Sequence, residues 1–128
     1  MKNILLFSLL ILLFASCSTN YDGKYSYPDK SGIVYINIDG DELQIWDEDQ
    51  EGKKGGQMKA KFHINENNNI ILDNVISAQD FYGNEVDKNF NKGFIKRWNA
   101  VGIKIQNNTI YLYEDLDRND DLMKFMKE

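Results

Sequence analysis

His63 and Cys17 are the only histidine and the only cysteine of the chain, so acid–base, metal or thiol chemistry has to be sought at them first. His63 alternates with Lys59 and Lys61 along Met58 to Ile64 (MKAKFHI), which puts it on the solvent side of a strand. It has no second imidazole or thiolate with which to complete a zinc site. A serine nucleophile would need His63 as its base, and nothing in the chain has the form of a nucleophile elbow. Two acidic runs, Asp47-x-Asp49-x-Glu51-Gly52 and Asp115-x-Asp117-x-Asn119, carry the first half of a calcium-loop spacing. Met58 and Met126 stand where the bidentate Glu at the twelfth position belongs, so both runs read as solvated turns. No catalytic residue, cofactor or metal site is expected, and the chain reads as a non-enzyme.

Cys17 sits in a different context. Lys2 gives a positive start, and the apolar run from Ile4 to Ala15 (ILLFSLLILLFA) leads into Ala15-Ser16-Cys17, the layout of an export signal. A helix over that run spans roughly 18 Å, well short of the ~30 Å hydrocarbon core of a bilayer. Phe14-Ala15-Ser16-Cys17 resembles the lipobox of bacterial lipoproteins, with Phe14 where that family usually has Leu. The resemblance implies cleavage before Cys17, acylation of its thiol, and a cell-envelope protein held to the membrane by lipid. Ser18, directly after the cysteine, resembles the sorting position of proteins sent to the outer membrane. The expected organisation is therefore 1–16 signal peptide, 17–23 lipidated cysteine and tether, and 24–128 a single folded domain. With one cysteine, the domain cannot staple itself internally and must rely on its core.

Removing the leader takes away one Lys and no acid, moving the net charge from −5 to −6. That balance argues against nucleic acid as a partner.

Strand signals dominate the remainder. Gly32 to Asp39 alternates, with Val34, Ile36 and Ile38 on one face. After an Asp39-Gly40 turn, Leu43 and Ile45 continue on that face, and Asp47 to Gln57 reads as an exposed loop. Met58, Ala60, Phe62 and Ile64 point inward, Asn65 to Asn69 turns, and Ile70 and Leu72 return. Asn74 to Asn99 is irregular, with Gly93 to Trp98 expected to begin the next strand. Val101, Ile103 and Ile105 then run inward, Asn107-Asn108 turns, and Ile110 and Leu112 come back, pairing Ile103 with Leu112 and setting Gly102 opposite Tyr113. Met123 and Phe125, alternating with lysines, read as a closing strand. The expected fold is all-β, one small antiparallel meander closing into a barrel to remove its edges. Gly23-Lys24-Tyr25 resembles the G-x-W that opens the first strand of lipocalins, with Tyr in place of Trp, and the pattern of the mature chain is similar to lipocalin-like domains.

The remaining candidates are aromatic. Tyr35, Trp46, Tyr111 and Tyr113 fall on the face opposite the core, and the irregular segment adds Phe81, Tyr82, Phe90, Phe94 and Trp98 interleaved with Lys88, Lys92, Lys96 and Arg97. Aromatics beside arginine are the composition of interface anchors. Trp46, Phe81, Tyr82, Phe90, Phe94, Arg97 and Trp98 are accordingly the expected protein contact, unless the segment packs over the strand aromatics as a second small core. The function this supports is a membrane-anchored, non-enzymatic module binding an envelope protein. The alternative is a barrel holding an apolar small molecule, which the bulky inward residues disfavour.

Overall fold

A computed structural model describes residues 20–113 and 122–128. The leader, Cys17 and the acidic run from Asp115 to Asn119 lie outside the described residues. Among the described residues the order is β1 (Gly23–Asp29), β2 (Gly32–Asp39), β3 (Glu42–Asp49), β4 (Lys54–Ile64), β5 (Ile70–Gln79), α1 (Lys88–Val101), β6 (Lys104–Gln106), β7 (Thr109–Tyr113) and β8 (Leu122–Lys127).

The strands make one antiparallel sheet in the order β5-β4-β3-β2-β1-β8-β7-β6, curled into a half-barrel. Each strand lies beside its sequence neighbour except at one place, between β5 and β6, and β1 joins β8 through Tyr25↔Lys127 and Ser26↔Met126. The all-β meander is thus as expected, with its seam where α1 is inserted.

Period-two alternation builds the core. Ile36 faces Ile45 and Ile38 faces Leu43 across a two-residue turn, and Leu43 faces Ala60 in the next ladder. With Tyr25, Phe62, Ile70, Leu72, Ile105, Ile110 and Phe125, all but the half-buried Ile45 form one buried cluster, and Ile45 packs against it. Each fully buried Leu, Ile or Phe side chain is worth about 1.5–3 kcal/mol of transfer free energy. Met123 and Phe125 point inward from β8, as the closing-strand reading requires. Three residues read as tether are already part of the domain, Gly23 as the first residue of β1. Tyr21 packs against the core and its carbonyl accepts from the Tyr25 hydroxyl at 2.8 Å, while Asp22 Oδ1 accepts from Gly40 N at 2.8 Å.

The structure corrects the sequence reading in four places. Asp47 to Gln57 is not all loop, because β3 runs on to Asp49 and β4 starts at Lys54, held by Trp46↔Gln57 and Glu48↔Lys54. Its polar residues sit on strand ends that need no apolar face.

The returning strand β5 also continues past Leu72 to Gln79. Register shifts against β4 make Asp73 and Ile76 extra residues, two β-bulges that turn the inward positions into Leu72, Val75 and Ala78. A spacing of three erases the alternation by which a strand is recognised.

Gly93 to Trp98 is helix rather than strand. Phe90, Phe94, Trp98 and Val101 recur at intervals of four, four and three, the period of an apolar helix stripe. Asp87 caps the start by accepting from Asn89 N at 2.6 Å. Gly102 ends the helix in the left-handed region, φ 71°, where glycine avoids the Cβ penalty.

Because Gly102 is a helix cap, it is not opposite Tyr113. The β6–β7 ladder stops at Lys104↔Tyr111, although its Ile105↔Ile110 pair is as expected and Ile103 is buried.

The seam is closed in two ways. At the end where β1 starts, Ile70 N donates to Ile103 O at 2.7 Å and Ile105 N to Asn68 O at 2.9 Å. One step further along β5, side chains of α1 take over: Trp98 Nε1 donates to Ile70 O at 3.0 Å, and the Asn99 amide exchanges two bonds with the backbone of Leu72. The helix acts as a ninth stave.

Candidate functional site

Three connections of this chain are the same turn. In Asp49–Lys53, Asn65–Asn69 and Asp80–Asn84 the first residue's N–H donates to the fifth residue's carbonyl at 2.9, 3.0 and 2.9 Å, and its carbonyl accepts from the fourth N–H at 3.0, 3.1 and 3.0 Å. The fourth residue is left-handed each time, Gly52 at φ 80°, Asn68 at 62° and Gly83 at 81°. This is a type I turn closed by a residue in the left-handed region. The first side chain then locks it. Asp49 Oδ1 accepts from Glu51 N and Lys53 N at 2.9 Å each, Asn65 Oδ1 from Asn67 N and Asn69 N at 3.0 and 2.9 Å, and Asp80 Oδ1 from Tyr82 N and Asn84 N at 2.9 Å each.

What differs is the cargo at the second and third positions. Gln50-Glu51 and Glu66-Asn67 are polar, whereas Phe81-Tyr82 are aromatic, edge to face with ring centroids 5.6 Å apart. Phe81 is 58% and Tyr82 83% exposed. The turn geometry does not need aromatics, as its two sister copies demonstrate. The loop is further fixed by the Gln79↔Glu85 bridge and by Val86 N donating to Ala78 O at 3.0 Å. Two large rings are therefore carried into water on a fully hydrogen-bonded backbone, so the ordering of the loop itself is spent before any partner arrives.

The turn stands at the end of the barrel opposite the start of β1. β1 enters beside the Gly40 turn, and eight residues of β2 at about 3.3 Å each put the other end some 25 Å away. There Lys53 Nζ lies 5.5 Å from the Phe81 ring, and Phe81 shares a groove of about 200 Å³ with Asp29, Gly32, Asp49 and Lys53.

The remaining expected contact residues divide. Phe90 is 53% exposed and faces an apolar groove of about 190 Å³ with Ile45, Met58, Ala78, Val86 and Phe94. Arg97 is exposed. Phe94 is half-buried, and Trp98 is only 1% exposed, their rings 5.8 Å apart. Trp98 therefore belongs to the core and not to an exposed contact, because the helical period turns its ring inward. Trp46 is half-buried on the outer wall, stacked on Tyr35 at 5.1 Å, with Lys24 over the Tyr35 ring at 4.3 Å and Lys54 over Trp46 at 5.2 Å. Of the expected set, only Phe81 with Tyr82 and Phe94 with Trp98 make ring contacts with each other.

The chemical candidates are placed as strand and turn residues. His63 is exposed, with Nδ1 2.8 Å from Asp73 Oδ1, and the Asp49 carboxylate is committed to its own turn. Among the described residues no group of three or more His, Cys, Asp or Glu is disposed to hold a metal, and no helix is long and apolar enough to cross a membrane. No family model matches the chain, and neither the comparison with curated proteins nor that with solved structures gives a match. The turn was only partly readable: Asp-x-x-Gly occurs at Asp29 to Gly32, Asp49 to Gly52 and Asp80 to Gly83, and only the last brackets aromatics, but Asp29 pairs with Gly32 in a tighter hairpin, so the motif alone does not single out the turn.

Proposed function

We propose that this chain is a cell-envelope lipoprotein, anchored at Cys17, whose barrel is a non-enzymatic module that grips a protein partner with Phe81 and Tyr82. The observation that carries this reading is the threefold use of one turn, polar twice and doubly aromatic once. Exposed, preorganised aromatic pairs are the composition of binding hot spots. The tip lies at the far end of the barrel from the tether, so an anchor at Cys17 leaves it directed away from the membrane that holds it and toward other envelope components. Phe90 and Arg97, exposed on α1, extend the contact. The anchored half of the barrel is filled by Tyr25, Ile36, Phe62, Trp98, Ile105 and Phe125, which disfavours a ligand inside it.

A photo-crosslinking amino acid at Phe81 of the full-length, membrane-borne protein is expected to yield a discrete protein adduct in cells. The same group at Gln50, the matching position of the sister turn, is expected to yield none. Equal adducts at both positions, or none at Phe81, defeat the contact reading. Cys17→Ser is expected to move the protein out of the membrane fraction, and retention there defeats the anchor.

A further inference from the structure

A second groove, of about 350 Å³, runs along the edge of β5 beside α1. Its helix wall is a single stripe, Lys88, Asn91, Lys92 and Ile95, at the i, i+3, i+4, i+7 spacing of one helix face. Its strand wall is the twice-bulged part of β5, where Asp73 is one of the extra residues. Bulges of this kind re-aim side chains and are common beside binding sites. Val75 and Ile95, both half-buried, make an apolar floor, and the two lysines stand on the rim.

The charges at the rim are unbalanced. Among the described residues Lys88 and Lys92 make no ion pair or side-chain hydrogen bond. The one carboxylate in the groove, Asp73, is held by His63 at 2.8 Å. Like charges one helix turn apart destabilise a helix, and α1 contains no acid to relieve them. Asn91 Oδ1, in the same stripe, is buried and has no hydrogen-bond partner among the described residues. Uncommitted polar groups of this kind call for a reason, such as a bound water or ligand group.

We propose that this groove binds a small amphipathic carboxylate, its apolar body on Val75 and Ile95 and its carboxylate between Lys88 and Lys92. The volume falls in the range of about 300–1,000 Å³ typical of small-molecule sites. Two ammonium groups as point charges can hold the two oxygens of a carboxylate, and the apolar floor of Val75 and Ile95 favours an anion that carries a hydrocarbon body over inorganic phosphate. The first-turn amide of Asn89 is already taken by Asp87, at 2.6 Å. A peptide would need a longer apolar track than two side chains. The site lies outside the filled core and is separate from the aromatic tip.

The test is a titration of the full-length protein in phospholipid nanodiscs with octanoate, followed by the methyl resonances of Val75 and Ile95. Octanol and octylammonium serve as neutral and cationic controls. Saturable shifts at both residues with octanoate are expected, with at least tenfold weaker response to either control. The double variant K88E/K92E is expected to lose at least tenfold in affinity, K88Q/K92Q less, and K30E/K124E nothing, all three keeping the wild-type melting temperature within a few degrees. Equal affinity for octanol, undiminished binding by K88E/K92E, or shifts that spare Val75 and Ile95 overturn the proposal. So does binding of a Glu-Leu peptide where octanoate fails.

Discussion

The side-chain amide of Asn99 pairs with the backbone of Leu72 as a strand would: Leu72 N donates to Asn99 Oδ1 at 2.9 Å, and Asn99 Nδ2 donates to Leu72 O at 3.0 Å. A free edge strand carries a row of unmet N–H and C=O groups. Here one helical residue supplies the donor and the acceptor that β6, only three residues long, does not reach far enough to provide. Asn99→Leu keeps the shape and removes both partners. Leaving a part-buried N–H and C=O unmet should cost roughly 2–3 kcal/mol, seen as a lower urea midpoint with unchanged slope. Amide exchange should accelerate at Leu72 and not at Ile36, and equal protection at Leu72 in both proteins would show that the pairing is not holding the edge.

Trp98 separates packing from hydrogen bonding at the same seam. Trp98→Phe keeps most of the buried ring but orphans the Ile70 carbonyl, for an expected loss of about 1–2 kcal/mol. Trp98→Ala also opens a cavity, and about 3–5 kcal/mol is expected. Chemical denaturation of the two variants would distinguish them: an undiminished stability of Trp98→Phe would mean that the Nε1–H bond to Ile70 contributes nothing, and equal losses would mean that the ring packing adds nothing to it.

Tyr25 sets the alkaline limit. It is fully buried, its hydroxyl donates to Tyr21 O at 2.8 Å, and its pKa is raised above the ordinary 10.0, first by burial and then by Tyr21 and Asp22 nearby. The folded state therefore resists losing this proton more than the unfolded chain does. That stability is whole below pH 10 and is lost as pH rises through the folded-state value. Melting temperatures between pH 8 and 11 should fall more steeply for the wild type than for Tyr25→Phe, and parallel profiles would count against this.

The sequence made the fold class legible because alternation survives wherever strands pair without interruption, as in Val34 to Ile38 against Leu43 and Ile45. It concealed β5 beyond Leu72 because the bulges at Asp73 and Ile76 replace a period of two by three. It concealed α1 because Gly93 and three asparagines lower the helix propensity of KNFNKGFIKRWNAV, although the Phe90, Phe94, Trp98 spacing and the Asp87 and Gly102 caps were all present. The aromatic residues were found but could not be sorted. Whether a ring faces water depends on the helix phase for Trp98 and on a hydrogen-bonded turn for Phe81 and Tyr82, and neither is visible until the elements around them are known.

The β1–β8 joint has a consequence in time. Tyr25 and Lys127 come from opposite ends of the domain, so the ring cannot be completed until the last strand exists, and contacts so far apart in sequence form slowly. A chain threaded N-terminus first through a membrane would keep β1 without its C-terminal neighbour until the very end of passage. Completion of the sheet in such a chain is thereby delayed by topology alone.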